Sequence, residues 1–342
     1  MSGPTLHEAI KKFERAQRAE HVPEGTVRQY RSVLNRLQTQ FPGRQFAGIK
    51  TNDLSQFLYG EQGITVGRKP ATGTTYRSAL NSFFAYGALM GWTKTQTVVP
   101  RPVFRTKAVR AKTDPMPTRL SPSALVLMLE RSEHPMMRGM IAVGIGTALR
   151  ISDILKLKVG DVDFHIGEIA VWVQKTGRFD AMPITVDLEE ELRRYLGWLT
   201  QETGATGRGP AYLFPGWTRR NAEGTGHLYY VPDATQKCSY PWALKRLNTL
   251  YEECGIPVQP KEAWHVIRRS VARIYFDQLR HEISHDHALR QTAALLGHKN
   301  TETTERYLGL HAERLARNES LRGKRFIGVT PDATVTPIRR PG

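Results

Sequence analysis

The chain has 342 residues, 49 Lys+Arg against 32 Asp+Glu and a formal net charge of +17, with 40% hydrophobic and 24% charged residues. That length allows two domains of about 100–200 residues, the composition excludes a disordered tail, and the basic excess points to a polyanion partner. Two cysteines (Cys238 and Cys254) exclude a disulfide framework, and the longest apolar stretch, Gly139 to Leu149, falls short of the ~18–20 residues of a membrane span.

The first hundred residues read as helical. Thr5 to Ala19 forms a first helix. Thr26 to Phe41 follows, with Val27, Tyr30, Val33, Leu34 and Leu37 on one face and Arg28, Arg31, Asn35 and Arg36 on the other. Asn52 or Asp53 caps a short helix to Tyr59, and Thr72 to Met90 is a further amphipathic run whose outer face carries Thr75, Arg77, Ser78 and Asn81. Residues 1–112 hold 18 Lys+Arg and 6 Asp+Glu, whereas the rest of the chain holds 31 and 26. A concentrated positive field of this kind binds phosphates by counterion release, whatever the base sequence. Residues 99–118, rich in proline and in Arg and Lys up to Lys112, read as an extended basic linker.

Helical periodicity resumes at Ser121-Pro122 and runs to about Arg131, followed by a buried helix from Pro135 to Thr147 and a short one from Ile151 to Leu157. The period then switches to two. Ile169 to Val173 and Phe179 to Val186 flank a Thr176-Gly177 turn, which is a hairpin pattern. Leu188–Thr200, Pro241–Cys254, Trp264–Arg280, Ala288–Leu296 and Thr301–Leu308 read as helices, and Gly204 to Pro232 as a Gly- and Thr-rich connection. The expected fold is mainly α with a small antiparallel β-sheet.

Four segments hold basic or nucleophilic side chains in distinctive settings: Arg150 in GTALRISDILKL, Lys175 in VWVQKTGRF, His265 and Arg268 in WHVIRRSV, and His298 and Tyr307 in LLGHKNTETTERYLG. His265 and Arg268 are three apart and share a helical face. Taken singly, each has a plainer alternative. Arg150 and Arg268 could be surface ion-pair partners, Lys175 a solvated turn residue, His265 a satisfied core histidine and Tyr307 a core aromatic. His281, His285 and His287 are close together, but a loop or helix-end role is favoured over a zinc site, and no metal is assigned.

In this order, behind a basic helical domain, the motifs G-x-x-x-R-I-S-D, Q-K-T-G, H-x-x-R, L-L-G-H and T-x-x-x-Y resemble those of the tyrosine recombinase (phage integrase) family over most of the chain. The resemblance implies an N-terminal helical core-binding (SAM-like) domain at 1–98, a linker at 99–118, a tyrosine recombinase catalytic domain at 119–327 and a tail at 328–342. It implies a site-specific DNA recombinase, with phage or mobile-element integration as the leading reading, working through a 3′-phosphotyrosyl intermediate and a Holliday junction. Tyr307 would be the nucleophile. Arg150 and Arg268 would clamp the phosphate oxygens, where planar guanidinium forks match paired oxygens. Lys175 would protonate the leaving 5′ oxygen, His265 would act as general acid/base and His298 as a phosphate donor, with Asp153 supporting the framework. Arg28, Arg31, Arg77 and Lys112 are the expected DNA contacts. No cofactor is called for, because the phosphotyrosyl link conserves the phosphoester's energy.

Implied partners are double-stranded DNA and a homotetramer on it, with an accessory directionality factor or host DNA-bending protein as further candidates. The implied setting is the cytoplasm or nucleoid of a bacterial host, without a membrane. An Xer-like resolvase or invertase, a type IB topoisomerase and a non-catalytic DNA-binding regulator remain as alternatives, although an intact six-residue set argues against the last. The resemblance also implies that the segment after Tyr307 is passed to a neighbouring protomer, and that a separate N-terminal arm-binding domain is absent. The 30 residues from Arg268 to His298 exceed the usual family spacing. HEISHDH accounts for the excess, so an extended helix or enlarged loop is expected there.

Overall fold

The computed structural model describes residues 3–68, 70–101, 118–173, 177–205, 209–221, 228–259 and 262–321. The chain divides into two compact units, Met1–Val109 and Arg110–Gly342. Most of the expected linker at 99–118 lies outside the described residues, as does everything after residue 321.

The first unit is built from α1 (Leu6–Ala19), α2 (Glu24–Gln40), α3 (Thr51–Tyr59) and α4 (Pro70–Leu89). Thr5 opens α1 through a capping box with Glu8, and Asp53 accepts the Lys50 N–H at 2.9 Å to start α3. The apolar stripes turn inward as their spacing requires: Val27, Val33, Leu34 and Leu37 of α2 are buried, while Arg28, Arg31, Asn35 and Arg36 stay exposed. The core is aromatic, with Phe46 edge-on to Phe83 at 5.2 Å and to Trp92 at 5.2 Å. Gly87 is required at this point, since a Cβ there would collide with the Phe46 ring.

The second unit contains α5 (Pro122–Arg131), α6 (Pro135–Thr147), α7 (Ile151–Ile154), β1 (Val162–Asp163), β2 (Glu168–Val173), β3 (Arg178–Pro183), α8 (Val186–Thr203), β4 (Pro215–Asn221), β5 (Leu228–Lys237), α9 (Tyr240–Glu253), α10 (Ala263–Glu282), α11 (His285–Leu295), α12 (Thr301–Tyr307) and α13 (Leu310–Leu321). Ser121 caps α5, its hydroxyl accepting the Ala124 N–H at 3.1 Å, with proline in the first turn. α6 is apolar nearly all round and is accordingly buried from Met136 to Thr147 with few gaps. β1, β2 and β3 form an antiparallel sheet in which Ile169, Val171 and Val173 face the core and Glu168, Ala170 and Trp172 face out.

The expected Gly- and Thr-rich connection from Gly204 to Pro232 is in part a second sheet, the antiparallel ribbon β4–β5. Its outer half is exposed on both faces, so it carries no period-two apolar signal, and Pro232 and a register shift at Pro215/Gly216 mask it further. The extra length after Arg268 is absorbed mainly by helix. α10 continues to Glu282, Ser284 caps α11, and His285 packs edge-on against Phe276 at 5.4 Å. His287 Nδ1 lies 3.2 Å from the Ser284 hydroxyl. Among the described residues no cluster of three His, Cys, Asp or Glu is arranged to hold a metal, and no helix is long and apolar enough to cross a membrane.

Candidate active site

Two tertiary contacts bring the distant motifs together. A Cβ at Gly144 would lie 2.8 Å from Trp264, so the glycine on α6 leaves the space that the first turn of α10 fills. From there the Trp264 indole donates to the Leu149 carbonyl at 3.4 Å. α6 ends at Ala148, a non-glycine residue in the left-handed region (φ 50°), and the chain turns there into Arg150 at the N-terminal boundary of α7. The second contact is an apolar cluster of Ala148, Ala272, Phe276, Leu289, Leu296, Leu308 and Leu310, which packs α10 to α13 around that turn. Tyr307 is packed against this cluster at the end of α12.

Arg268 lies at the centre and is 3% exposed. Its guanidinium donates to the Ala148 carbonyl and, at 2.6 Å, to the Leu296 carbonyl, so it ties the α6–α7 turn to the end of α11. It also lies against the Tyr307 hydroxyl. Burial, reinforced by the charge of Arg150, pushes its pKa down to about 10. It therefore remains cationic at neutral pH, and the buried charge is offset in part by Tyr307 and by Asp153, itself 3% exposed.

The Tyr307 hydroxyl donates to the His265 carbonyl at 3.5 Å, and its ring stands edge-on to His298 at 5.4 Å. Burial raises its pKa, while the guanidiniums of Arg268, Arg269 and Arg150 pull it down; burial prevails, so the phenol is protonated at neutral pH. His298 follows Gly297, which ends α11 in the left-handed region (φ 59°), and its Nδ1 is 3.0 Å from the buried Thr304 hydroxyl. His265 keeps one side in solvent. Desolvation of the other, reinforced by Arg268, Arg269 and Arg150, holds its pKa below the ordinary value, which favours the neutral imidazole.

Arg150, His265, Arg268, His298 and Tyr307 thus gather in one place, with Asp153 buried beneath. Lys175 lies outside the described residues, between β2 and β3. Arg28 and Arg31 stand exposed on α2, Arg31 sharing Glu14 at 3.3 Å. Arg77, half-buried on α4, donates to the Thr74 hydroxyl at 3.4 Å. Lys112 lies outside the described residues.

Two further cations escaped the motif reading. Arg269, held by the Thr118 carbonyl at 3.2 Å and by Glu262 at 3.3 Å, lies 5.6 Å from the Tyr307 ring centre. The half-buried Lys156 is close enough to Asp153 and Lys237 to feel both charges, and burial lowers its pKa first of all. The Arg268-Arg269 doublet and the Lys156-Leu-Lys158 triplet were the available signals, but neither states which cation faces the tyrosine.

The phage integrase family model matches residues 120–314, a span that contains every one of the clustered residues. A curated relative, tyrosine recombinase XerA of Pyrococcus furiosus, is 28% identical over 170 residues, covering 50% of this chain and 49% of the relative. The match therefore spans about half the length of that relative. A lambda integrase dimer bound to a COC′ core site shares the fold with a TM-score of 0.60 at 18% identity, covering 97% of this chain and 81% of the other. A lambda integrase tetramer bound to a Holliday junction does so with a TM-score of 0.59 at 18% identity, over 89% and 77%. The family match takes in more than half of a chain that has this fold and this cluster, and the chain belongs to the phage integrase family, the tyrosine recombinases.

Proposed function

We propose that the chain is a site-specific DNA recombinase that cuts and rejoins duplex DNA through Tyr307. The single observation that carries this reading is the gathering, around the Tyr307 hydroxyl, of the buried Arg268 guanidinium, the His265 carbonyl at 3.5 Å and the His298 ring edge-on at 5.4 Å, with Arg150 and Arg269 near enough to act on it. A phosphodiester needs that combination for metal-independent transfer: a nucleophile, a base to take its proton and fixed positive charge for the equatorial oxygens.

In the proposed step the Tyr307 oxygen attacks phosphorus and gives its proton to His265. Arg150, Arg268 and His298 hold the non-bridging oxygens, where each donor lowers the barrier by about 2.7–4 kcal/mol. The P–O5′ bond breaks, and the leaving oxygen takes a proton from Lys175. A 3′-phosphotyrosyl link and a free 5′ hydroxyl result, and attack by a 5′ hydroxyl on the link reverses the step. Four protomers on two DNA sites would exchange strands through a Holliday junction, a reading supported by the lambda integrase tetramer of like fold. Integration and excision by a phage or mobile element is the leading use. An Xer-like resolvase or invertase is the second reading, and the similarity to a relative named tyrosine recombinase XerA supports the Xer likeness.

The test is incubation of the full chain with nicked duplexes from the DNA flanking its coding gene. A denaturant-stable protein–DNA adduct is expected, and its absence from every such duplex would count against the reading. Lys175→Ala is expected to slow cleavage of a normal phosphodiester and to spare a 5′-bridging phosphorothiolate, whose leaving group needs no proton. Equal slowing of both would remove Lys175 as the acid. Charge reversal at Arg28 and Arg31, exposed on α2, is expected to weaken duplex binding and flatten its salt dependence by about 0.9 in log–log slope per lost phosphate contact. An unchanged slope in a binding titration would put the phosphate contacts elsewhere.

A further inference from the structure

We propose that Arg269 is a positioning residue for the nucleophile: anchored by the Thr118 carbonyl and by Glu262, it holds the Tyr307 ring so that the hydroxyl is presented to the phosphate. The inference rests on the recombinase reading and gives a role at that site to a residue that the motif H-x-x-R stops short of.

Adjacent residues of a helix point about 100° apart, so the two arginines of α10 reach Tyr307 from different directions. Arg268 lies against the hydroxyl, whereas the Arg269 guanidinium lies over the ring, 5.6 Å from its centre. At that separation the face of an aromatic ring attracts a cation. The His298 ring meets Tyr307 edge-on at 5.4 Å, so the ring is restrained by an imidazole and by a guanidinium.

Arg269 is itself fixed. Its Nη1 donates to the Thr118 carbonyl at 3.2 Å and to Glu262 Oε1 at 3.3 Å, its Nε is buried, and its side chain is 12% exposed. The Glu262 carboxylate offsets its charge. A cation so neutralised and turned to a ring adds little to a phosphate clamp, but it restrains the ring it covers. The Thr118 carbonyl is fixed in turn. Two residues on, the Leu120 N–H donates to the Ser270 hydroxyl at 2.7 Å, and that hydroxyl donates to the Val266 carbonyl at 2.7 Å. Between them Arg119 pairs with Glu313 of α13 at 2.7 Å, and Arg273 of α10 meets the same carboxylate at 2.6 Å. Residues 118–120 thus form a strap tied to α10 and to α13, the helix that follows Tyr307. The acceptor that sets Arg269 belongs to this strap.

The experiment compares the intact chain with Arg269→Met, Arg269→Lys and Glu262→Ala, below the melting temperature of the least stable of them. It measures single-turnover adduct formation on a nicked duplex from the flanking DNA, and affinity for the same duplex over a range of salt. Arg269→Met should slow adduct formation by about ten- to a hundredfold, as misplacement of a reacting group does, and leave affinity and its salt slope unchanged. Arg269→Lys should recover most of the rate, because both anchors fall on one nitrogen and an ammonium can serve them. Glu262→Ala frees the guanidinium without removing its charge and should also slow the step. It keeps the proposal testable if the methionine variant does not fold. A rate for Glu262→Ala equal to or above that of the intact chain would mean that charge, not placement, is what Arg269 supplies, and the proposal is overturned. It is overturned equally if Arg269→Met cleaves within threefold of the intact chain, if Arg269→Lys is as slow as Arg269→Met, or if the salt slope falls by about 0.9, the mark of a lost phosphate contact. In each of those cases the recombinase reading stands. If the intact chain forms no adduct on any such duplex, that reading falls and this inference with it.

Discussion

Tyr307→Phe is expected to bind duplex DNA as tightly as the unsubstituted chain and to form no denaturant-stable adduct at all. The substitution removes one oxygen and keeps the ring, so the edge contact with His298 and the approach of the Arg269 guanidinium survive. Two hydrogen bonds are lost, the long one to the His265 carbonyl at 3.5 Å and the one the hydroxyl accepts from the Arg268 guanidinium. Their loss should cost about 2–4 kcal/mol together, about 1 for the neutral bond and about 1.5–3 for the one from a charged group. Chemistry is affected far more, because phenylalanine has no atom that can displace O5′. An adduct still recovered from the Phe variant, mapped by digestion to another residue, would overturn Tyr307 as nucleophile. The electrostatics also explain why a base is required. Burial keeps the phenol protonated despite three nearby cations, and an arriving phosphate would neutralise part of their field and raise its pKa further.

Arg268→Met should reduce the rate of adduct formation by at least a hundredfold while lowering the melting temperature by no more than about 10 °C. The two effects separate because opposing terms act on stability. In the DNA-free fold the lowered pKa of Arg268, about 10 against an ordinary 12.5, corresponds to a charge penalty of about 3 kcal/mol, which methionine removes. Methionine also leaves the Ala148 and Leu296 carbonyls without this donor, at about 1–3 kcal/mol each. The bared carbonyls together cost about 2–6 kcal/mol against that gain, so the net loss is at most about 3 kcal/mol and the melting temperature should fall by no more than about 10 °C. Nothing offsets the loss at the transition state, where the guanidinium is fixed in place before the charge develops; losing one such donor costs about 10²–10³ in rate. Single-turnover cleavage within threefold of the unsubstituted chain would remove Arg268 from the phosphate clamp.

Much of the fold could be read from local pattern. The 3.6-residue apolar spacing in Val27–Leu37 and Pro135–Thr147, the Ser121-Pro122 start and the alternation of Ile169, Val171 and Val173 each describe a segment that buries one stripe, one face or its whole surface. Where a segment buries little, the pattern fails. The outer β4–β5 ribbon is wet on both faces. α13 is amphipathic only weakly, and it is held instead by Leu310 in the core and by Glu313 bridging Arg119 (2.7 Å) and Arg273 (2.6 Å), partners that are remote in the chain.

The same division holds for the candidate site. Residue types and their order are legible along the chain: a basic first third, then arginine, lysine, histidine with arginine, histidine and tyrosine, each in a context set by its own neighbours. Long-range packing adds that Gly144 leaves room for Trp264, that the left-handed turn at Ala148 carries Arg150 back toward α10, and that Arg268 is buried against two carbonyls. The same packing brings Arg269 and Lys156 into the charged surroundings. Helix and strand preferences act over a few residues and are written in adjacent letters. The field at the Tyr307 hydroxyl is a sum over charges from separate segments, and its sign and size depend on distances and burial that exist only after the core has closed.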